Sequence, residues 1–301
     1  MPVLLFYRKC YSALVIAAIS LCQLACTREA PVASTPVTDD FGDTLVVGGA
    51  PMRIVSLNPT TTELVYAIGA GARLVGRTSY DAIPAEVRSV PDLGPGLRPN
   101  IEAVLAVHPD LILLYASADN RAAAQRFRSS GIATASYKID RIADMIRVTR
   151  LLGRLTGDTA AASRTVDSVT ATIKRVRALT ANLPHPTVFW PLWDAPLLSV
   201  GGGSWLNELI EIAGARNVFA ELPQPSPTVA FEELLKRDPD FILGGTTTRR
   251  RAATDQRWQA LRAVRQNHVL VIDSTIANGP SARVGASAES IARLLHPDVK
   301  F

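Results

Sequence analysis

Two segments carry the same pattern: EAVLAVHPDLIL from Glu102 to Leu113, and EELLKRDPDFIL from Glu232 to Leu243. In each, a glutamate opens an apolar-periodic run, Pro-Asp falls seven residues later, and a short hydrophobic strand follows. The simplest role for such a glutamate is to favour its own helix dipole, worth ~0.3–1 kcal/mol. Other chemically capable residues are present but not gathered. The histidines His108, His185, His268 and His296 are scattered, some of them beside prolines at element ends, as solvated or capping residues would be. A receptor for bare zinc or manganese draws on several histidines and carboxylates together, and no such set assembles here. The chain has no phosphate-cradling P-loop, no glycine-rich dinucleotide turn, no HExxH, no CxxC and no GxSxG. Two classes of function fit this inventory. A secreted enzyme needs a nucleophile–base constellation that the sequence does not show, whereas a two-lobed binding protein needs only a cleft.

The elements that would shape a cleft are legible. ArgIleValSerLeu (53–57) reads as a strand, and Asn58-Pro59 starts a helix, with Asn as N-cap and Pro at the first helical position, running to a stop at Gly69. The strand 74–78, a helix near 101–107, the strand 110–115, a helix near 119–129, the strand 133–137 and a further helix follow. Such alternation predicts a mainly parallel sheet with helices on its faces. From Asp158 to about Asn182 the chain has neither Gly nor Pro and sets Val166, Val169, Ile173, Val176 and Leu179 at helical spacing. This predicts one long helix. Alternation then resumes with strands at 187–190, 241–243 and 268–273 and helices at 205–213, near 255–264 and up to about Leu295. The fold class is therefore α/β, two lobes with mainly parallel sheets joined by a single long backbone helix. The expected boundaries are an N-terminal lobe over 43–157, the linking helix over 158–183 and a C-terminal lobe over 184–301, with the hairpin-like DDFGDTLVVGG opening the folded part.

The 301 residues are 48% hydrophobic and 20% charged, enough for two lobes. Arg8 and Lys9 precede the apolar run Tyr11 to Ala25, which is short for a membrane span and reads as a secretory signal over 1–25. Beyond it stand 30 basic and 27 acidic residues, a net +3 that does not argue for nucleic acid. Arg249, Arg250 and Arg251 read as a solvated loop or helix start. All three cysteines, Cys10, Cys22 and Cys26, lie at or before the cleavage region, so the mature body has no thiol chemistry. Cys22-Gln-Leu-Ala-Cys26 resembles a bacterial lipobox, with Gln23 where an aliphatic residue is usual. Cys26 is then the acylated mature N-terminus, and the Pro/Ser/Thr-rich stretch over 26–42 a tether.

Three stretches carry a wider resemblance: DDFGDTLVVGGAPMRIVSLNPTTTELVYAIGAGARLVGRTSYDAIP, VPDLGPGLRPNIEAVLAVHPDLIL and GGGSWLNELIEIAGARNVF. In order and spacing they resemble the cobalamin and iron-siderophore substrate-binding proteins of ABC importers, over about residues 40–295, with the nearest likeness to the cobalamin-binding members. The resemblance implies a class III periplasmic binding protein: a non-enzyme, most simply a monomer, held in the periplasm or at the cell surface. It would deliver a small-molecule metal chelate to a permease dimer in the inner membrane. It implies no resident cofactor, because the metal arrives already chelated. Cobalamin is the first expectation, and a ferric siderophore or haem the alternative.

The same resemblance places ligand contacts at Tyr80, Tyr115 and Trp193, in the loop Thr275, Ile276, Ala277, Asn278 and Gly279, and at Arg283. Flat aromatic rings suit a large, partly apolar corrin. The loop is normally bulkier, so Ile276 and Ala277 depart from the family pattern, as does GlyProGlyLeu (94–97) where another aromatic is usual. Arg283 and the Arg249–Arg251 group would suit an anionic siderophore, and Tyr80 or Tyr115 a haem iron. By matching position, Glu102 and Glu232 are the two glutamates that dock each lobe onto permease arginines.

Overall fold

The structure is a computed structural model that describes residues 36–45 and 49–301. The signal-like segment, Cys26 and most of the expected tether lie outside the described residues. Among the described residues, no helix is long and apolar enough to cross a membrane.

A small antiparallel hairpin, β1 (Val37–Thr38) with β2 (Thr44–Leu45), opens the folded part. The buried Asp39 carboxylate accepts the N–H groups of Phe41, Asp43 and Ser136 and pairs with Arg128 at 2.6 Å. These bonds tie the end of the stretch expected as a tether to the first lobe. The lobe continues through β3 (Ile54–Leu57), α1 (Pro59–Ala67), β4 (Leu74–Gly76), α2 (Ile101–Ala106), β5 (Leu111–Tyr115), α3 (Ala118–Ser129), β6 (Ala133–Tyr137) and α4 (Ile142–Thr156). Its four main strands are parallel in the order β4-β3-β5-β6. Leu111 to Leu114 are buried on both faces, as a continuous apolar run in a central parallel strand should be. Asn58 caps α1 by accepting the Thr60 N–H at 3.0 Å.

The linking helix α5 runs Thr159–Thr180, about 33 Å at 1.5 Å per residue. It buries Ala162, Val166, Val169, Ile173 and Val176 along one face. The second lobe follows: β7 (Thr187–Phe189), β8 (Pro191–Asp194), β9 (Leu197–Ser199), α6 (Trp205–Ile212), β10 (Arg216–Asn217), α7 (Phe231–Arg237), β11 (Phe241–Gly244), α8 (Thr246–Thr254), β12 (Val269–Val271) and α9 (Val284–Leu295). Its sheet is parallel in the order β10-β7-β11-β12, repeating the first lobe strand for strand, while β8 and β9 form an antiparallel hairpin. Helix α5 packs on α4 of the first lobe and on α9 of the second. One apolar cluster accordingly runs from Leu64 and Leu113 through Val169 and Val176 to Val188 and Ile291.

The doubled sequence unit has a structural counterpart. Asp110 accepts the Met52 and Arg53 N–H groups at 2.8 and 2.9 Å, fixing the entry to β3. Asp240 accepts the Thr187 N–H and hydroxyl at 2.8 and 2.7 Å, fixing the start of β7. In both lobes the aspartate of Pro-Asp bonds the backbone where the neighbouring strand begins. The preceding helices end alike, with His108 and Asp238 in the left-handed region at φ 47° and 38°. The Arg249–Arg251 run lies within α8, where Arg249 donates to the Val269 carbonyl and Arg251 pairs with Asp194 at 3.2 Å.

Candidate functional site

In the first lobe, the segments leaving β3, β5 and β6 at their carboxyl ends present Asn58, Thr60, Tyr115, Ile139 and Asp140 to one cleft. The second lobe faces them with Leu192 of the β8–β9 hairpin and with Ser204, Trp205 and Leu206 at the start of α6. Gly203, Pro225, Ser226, Asn278, Gly279 and Pro280 complete the lining, and the cleft holds about 380 Å³. Ligands of open parallel sheets bind beyond the carboxyl ends of the strands, which is where this cleft lies.

Local sequence explains the shape. A Cβ on Gly201, Gly202 or Gly203 would stand only 2.1, 2.0 and 2.1 Å from the carbonyl oxygens of Gln224, Ala220 and Pro223. Only glycine lets the 220–225 loop lie against this turn and set Pro225 and Ser226 at the cleft. Gly279, at φ +147°, brings its backbone so near α1 that a Cβ would be 2.1 Å from Thr60 Oγ1. Ser204 caps α6 by accepting the Leu206 N–H at 3.1 Å.

Among the described residues, two ion pairs cross between the lobes. The Arg283 guanidinium donates from Nε to Glu63 Oε2 at 2.9 Å and from Nη2 to Glu63 Oε1 at 3.1 Å, with a third bond to Thr275 Oγ1 at 3.2 Å. Arg141 Nε lies 2.5 Å from Glu208 Oε1, and Glu208 Oε2 accepts the Ile142 N–H at 3.0 Å. Both arginines are thus committed to carboxylates. Among the described lining residues, the sole charged side chain is Asp140, whose Oδ1 accepts the Tyr115 hydroxyl at 2.7 Å. Burial first, then this bond and the charges of Asp140 and Asp144, push the Tyr115 phenol well above its ordinary ionisation range. The phenol stays neutral at physiological pH. Among the described residues, no cluster of three His, Cys, Asp or Glu is placed to hold a metal.

The residues expected at the site divide accordingly. Tyr115, Asn278 and Gly279 line the cleft. Tyr80, 68% exposed, follows β4 on the same edge of the sheet but outside the lining. Trp193 is 64% exposed, its Nε1–H donating to the Ala195 carbonyl, while its neighbour Leu192 faces the cleft. Ile276 is buried in the apolar core, and Thr275 supports Arg283, so neither lines the cleft. Arg283, expected among the ligand contacts, forms half of the Glu63 pair. Ala277 belongs to a short 3-10 turn over 274–278, and its side chain lies outside the described residues. Glu102 and Glu232 are both exposed in the first turns of α2 and α7. Sequence reasoning missed Trp205 and Asp140. Trp205 directly follows the GlyGlyGlySer turn, a usable signal, but Asp140 has no local mark.

The sequence model of a family described as periplasmic binding protein matches residues 54–276. The chain is 29% identical over 283 residues to the cobalamin-binding protein of Halobacterium salinarum, spanning 87% of this chain and 75% of that one. It is 24% identical over 273 residues, 87% of this chain and 86% of the relative, to an uncharacterized ABC transporter substrate-binding lipoprotein of Bacillus subtilis. Among solved structures, the periplasmic vitamin B12 binding protein of Vibrio cholerae superposes with a TM-score of 0.71 at 23% identity, covering 81% of this chain and 96% of that one. A periplasmic haem binding protein of Pseudomonas aeruginosa gives 0.75 at 21% identity, covering 83% and 94%. With the matched segment spanning both lobes and the linking helix, the chain belongs to the periplasmic binding protein family, whose relatives here are binding proteins and not enzymes.

Proposed function

We propose that this chain captures cobalamin in the interlobe cleft and delivers it to the permease of an ABC importer. The observation that carries this reading is the character of the lining. Hydrogen-bonding groups from Asn58, Ser204, Ser226 and Asn278 alternate with apolar surface from Ile139, Leu192, Trp205 and Leu206, and the described lining carries no cation. A corrin is a large apolar ring rimmed with neutral carboxamides, which such a mixture suits. Haem, with two propionates, and the anionic ferric siderophores call for arginines, and Arg283 and Arg141 are occupied. At about 380 Å³ the cleft is at the small end for ligand pockets, so a corrin would project from it.

Haem is the second reading, favoured by the superposition on a haem binding protein and by a tyrosine in the cleft. Against it, the Tyr115 hydroxyl donates to Asp140 at 2.7 Å, a bond that would have to be given up before its oxygen could bind iron. The absorbance spectrum of protein purified from its native host separates the cases. A corrin spectrum is expected; a Soret band would contradict it.

Glu102 and Glu232 are proposed to dock the lobes onto the permease. In support, each stands on the side of its lobe nearest the cleft. Asn100, the cap of α2, follows a segment held by Asn120, which also donates to the Tyr115 carbonyl at 3.1 Å. Glu232 shares a surface recess with Asp194 and Leu197 of the β8–β9 hairpin. Acylation of Cys26 and a monomeric state complete the proposal.

A further inference from the structure

We propose that Asp140 is a specificity-determining residue that selects cargo by the charge of its rim, accepting amide N–H groups and repelling carboxylates; this rests on the cobalamin reading above. Asp140 is half-buried and lines the cleft three residues after β6. One oxygen accepts the Tyr115 hydroxyl at 2.7 Å, and the other lies 3.3 Å from the Nζ of Lys138, an exposed side chain. A carboxylate offers about four acceptor positions, so the Tyr115 bond fixes its orientation and leaves positions for a ligand. Behind it stands Asp144, its Oδ2 accepting the Asp140 N–H at 3.3 Å and its Oδ1 paired with Arg147 at 3.4 Å. The arginines that would offset this charge are turned away, Arg141 to Glu208 and Arg283 to Glu63.

The result is a cleft that offers neutral donors and acceptors over most of its surface and one fixed negative charge. A primary amide meets that charge with an N–H and gains a charge-assisted hydrogen bond. A carboxylate at the same place meets like charge, offset only by the exposed and solvent-screened Lys138, and rejection of this kind is how a site discriminates between near-identical shapes. Replacing one corrin carboxamide by a carboxylate changes almost nothing in size, so it isolates this effect.

The test measures binding of cyanocobalamin and of each monocarboxylate made by hydrolysing one of its propionamides, using the wild-type protein, Asp140→Asn and Tyr115→Phe. Wild type is expected to bind cyanocobalamin at least tenfold more tightly than one of the monocarboxylates. Asp140→Asn should shrink that ratio to about threefold or less, and Tyr115→Phe, which frees the carboxylate without removing its charge, should keep it. Equal affinities in the wild type, or a ratio unchanged in Asp140→Asn, would overturn the inference while the cobalamin reading stands. Failure of the wild type to bind any of these corrinoids would overturn both.

Discussion

Arg283 and Glu63, 220 positions apart in the chain, join the two lobes in a two-pronged ion pair with Glu63 almost wholly buried. Arg141 and Glu208 make a second clasp with the polarity reversed, the first lobe supplying the base. Glu63→Gln should lower stability by ~1–3 kcal/mol, since it weakens two charge-assisted bonds and leaves Arg283 underpaired. Thermal unfolding checks this. An unchanged midpoint would show that the shared apolar core alone fixes the lobes.

The lining predicts unequal roles for the two tyrosines. Tyr115→Ala should weaken cobalamin binding by ~1–3 kcal/mol, the range for a well-buried contact. Tyr80→Ala should cost less, because Tyr80 reaches only a ligand that projects beyond the cleft. Titration calorimetry on both variants is the measurement, and a larger loss at Tyr80 would move the site toward the rim.

Much of the scaffold is legible in the amino-acid sequence. The linking helix expected over 158–183 runs Thr159–Thr180, because nothing between Asp158 and Asn182 breaks a helix. Asn58-Pro59 and Gly69, the latter at φ +86°, bracket α1 through backbone chemistry that is local to them. The helix expected near 255–264 lies mainly upstream as α8, because the weak formers Thr246 to Thr248 mask the good formers Arg249 to Ala253; the contacts of Arg249 and Arg251 and the burial of Ala252 hold it in place. The site is harder still. Whether Arg283 is free or paired depends on a carboxylate in the other lobe, and no window of sequence carries that information.

Asp240 gives the fold a pH signature. Burial opposes its ionisation, but the hydrogen bonds from Thr187 and the charges of Arg262 and Arg216 outweigh it and hold the carboxyl below its ordinary range. Its contribution is therefore present above the unfolded-state pKa, about 3.9 for aspartate, and is lost as pH falls through the folded one. Asp240→Asn should unfold ~2–4 °C below wild type at pH 7. The gap should close as pH drops below about 4. A gap independent of pH would mean that Asp240 acts through shape alone.

The double variant Glu102→Ala/Glu232→Ala should bind ligand normally and lose uptake through the cognate permease. Removing carboxylates from charge-paired interfaces typically costs ~2–5 kcal/mol each. Wild-type uptake would leave these glutamates as helix-start residues only.

The central claim is that the cleft takes a neutral-rimmed corrin and not an anionic chelate. Isothermal titration of the purified protein with cyanocobalamin, haemin and a panel of ferric siderophores tests it most directly. One-to-one binding of cyanocobalamin is expected, with none of haemin or the anionic siderophores. Tight binding of haemin or a ferric siderophore with no response to cyanocobalamin would contradict it.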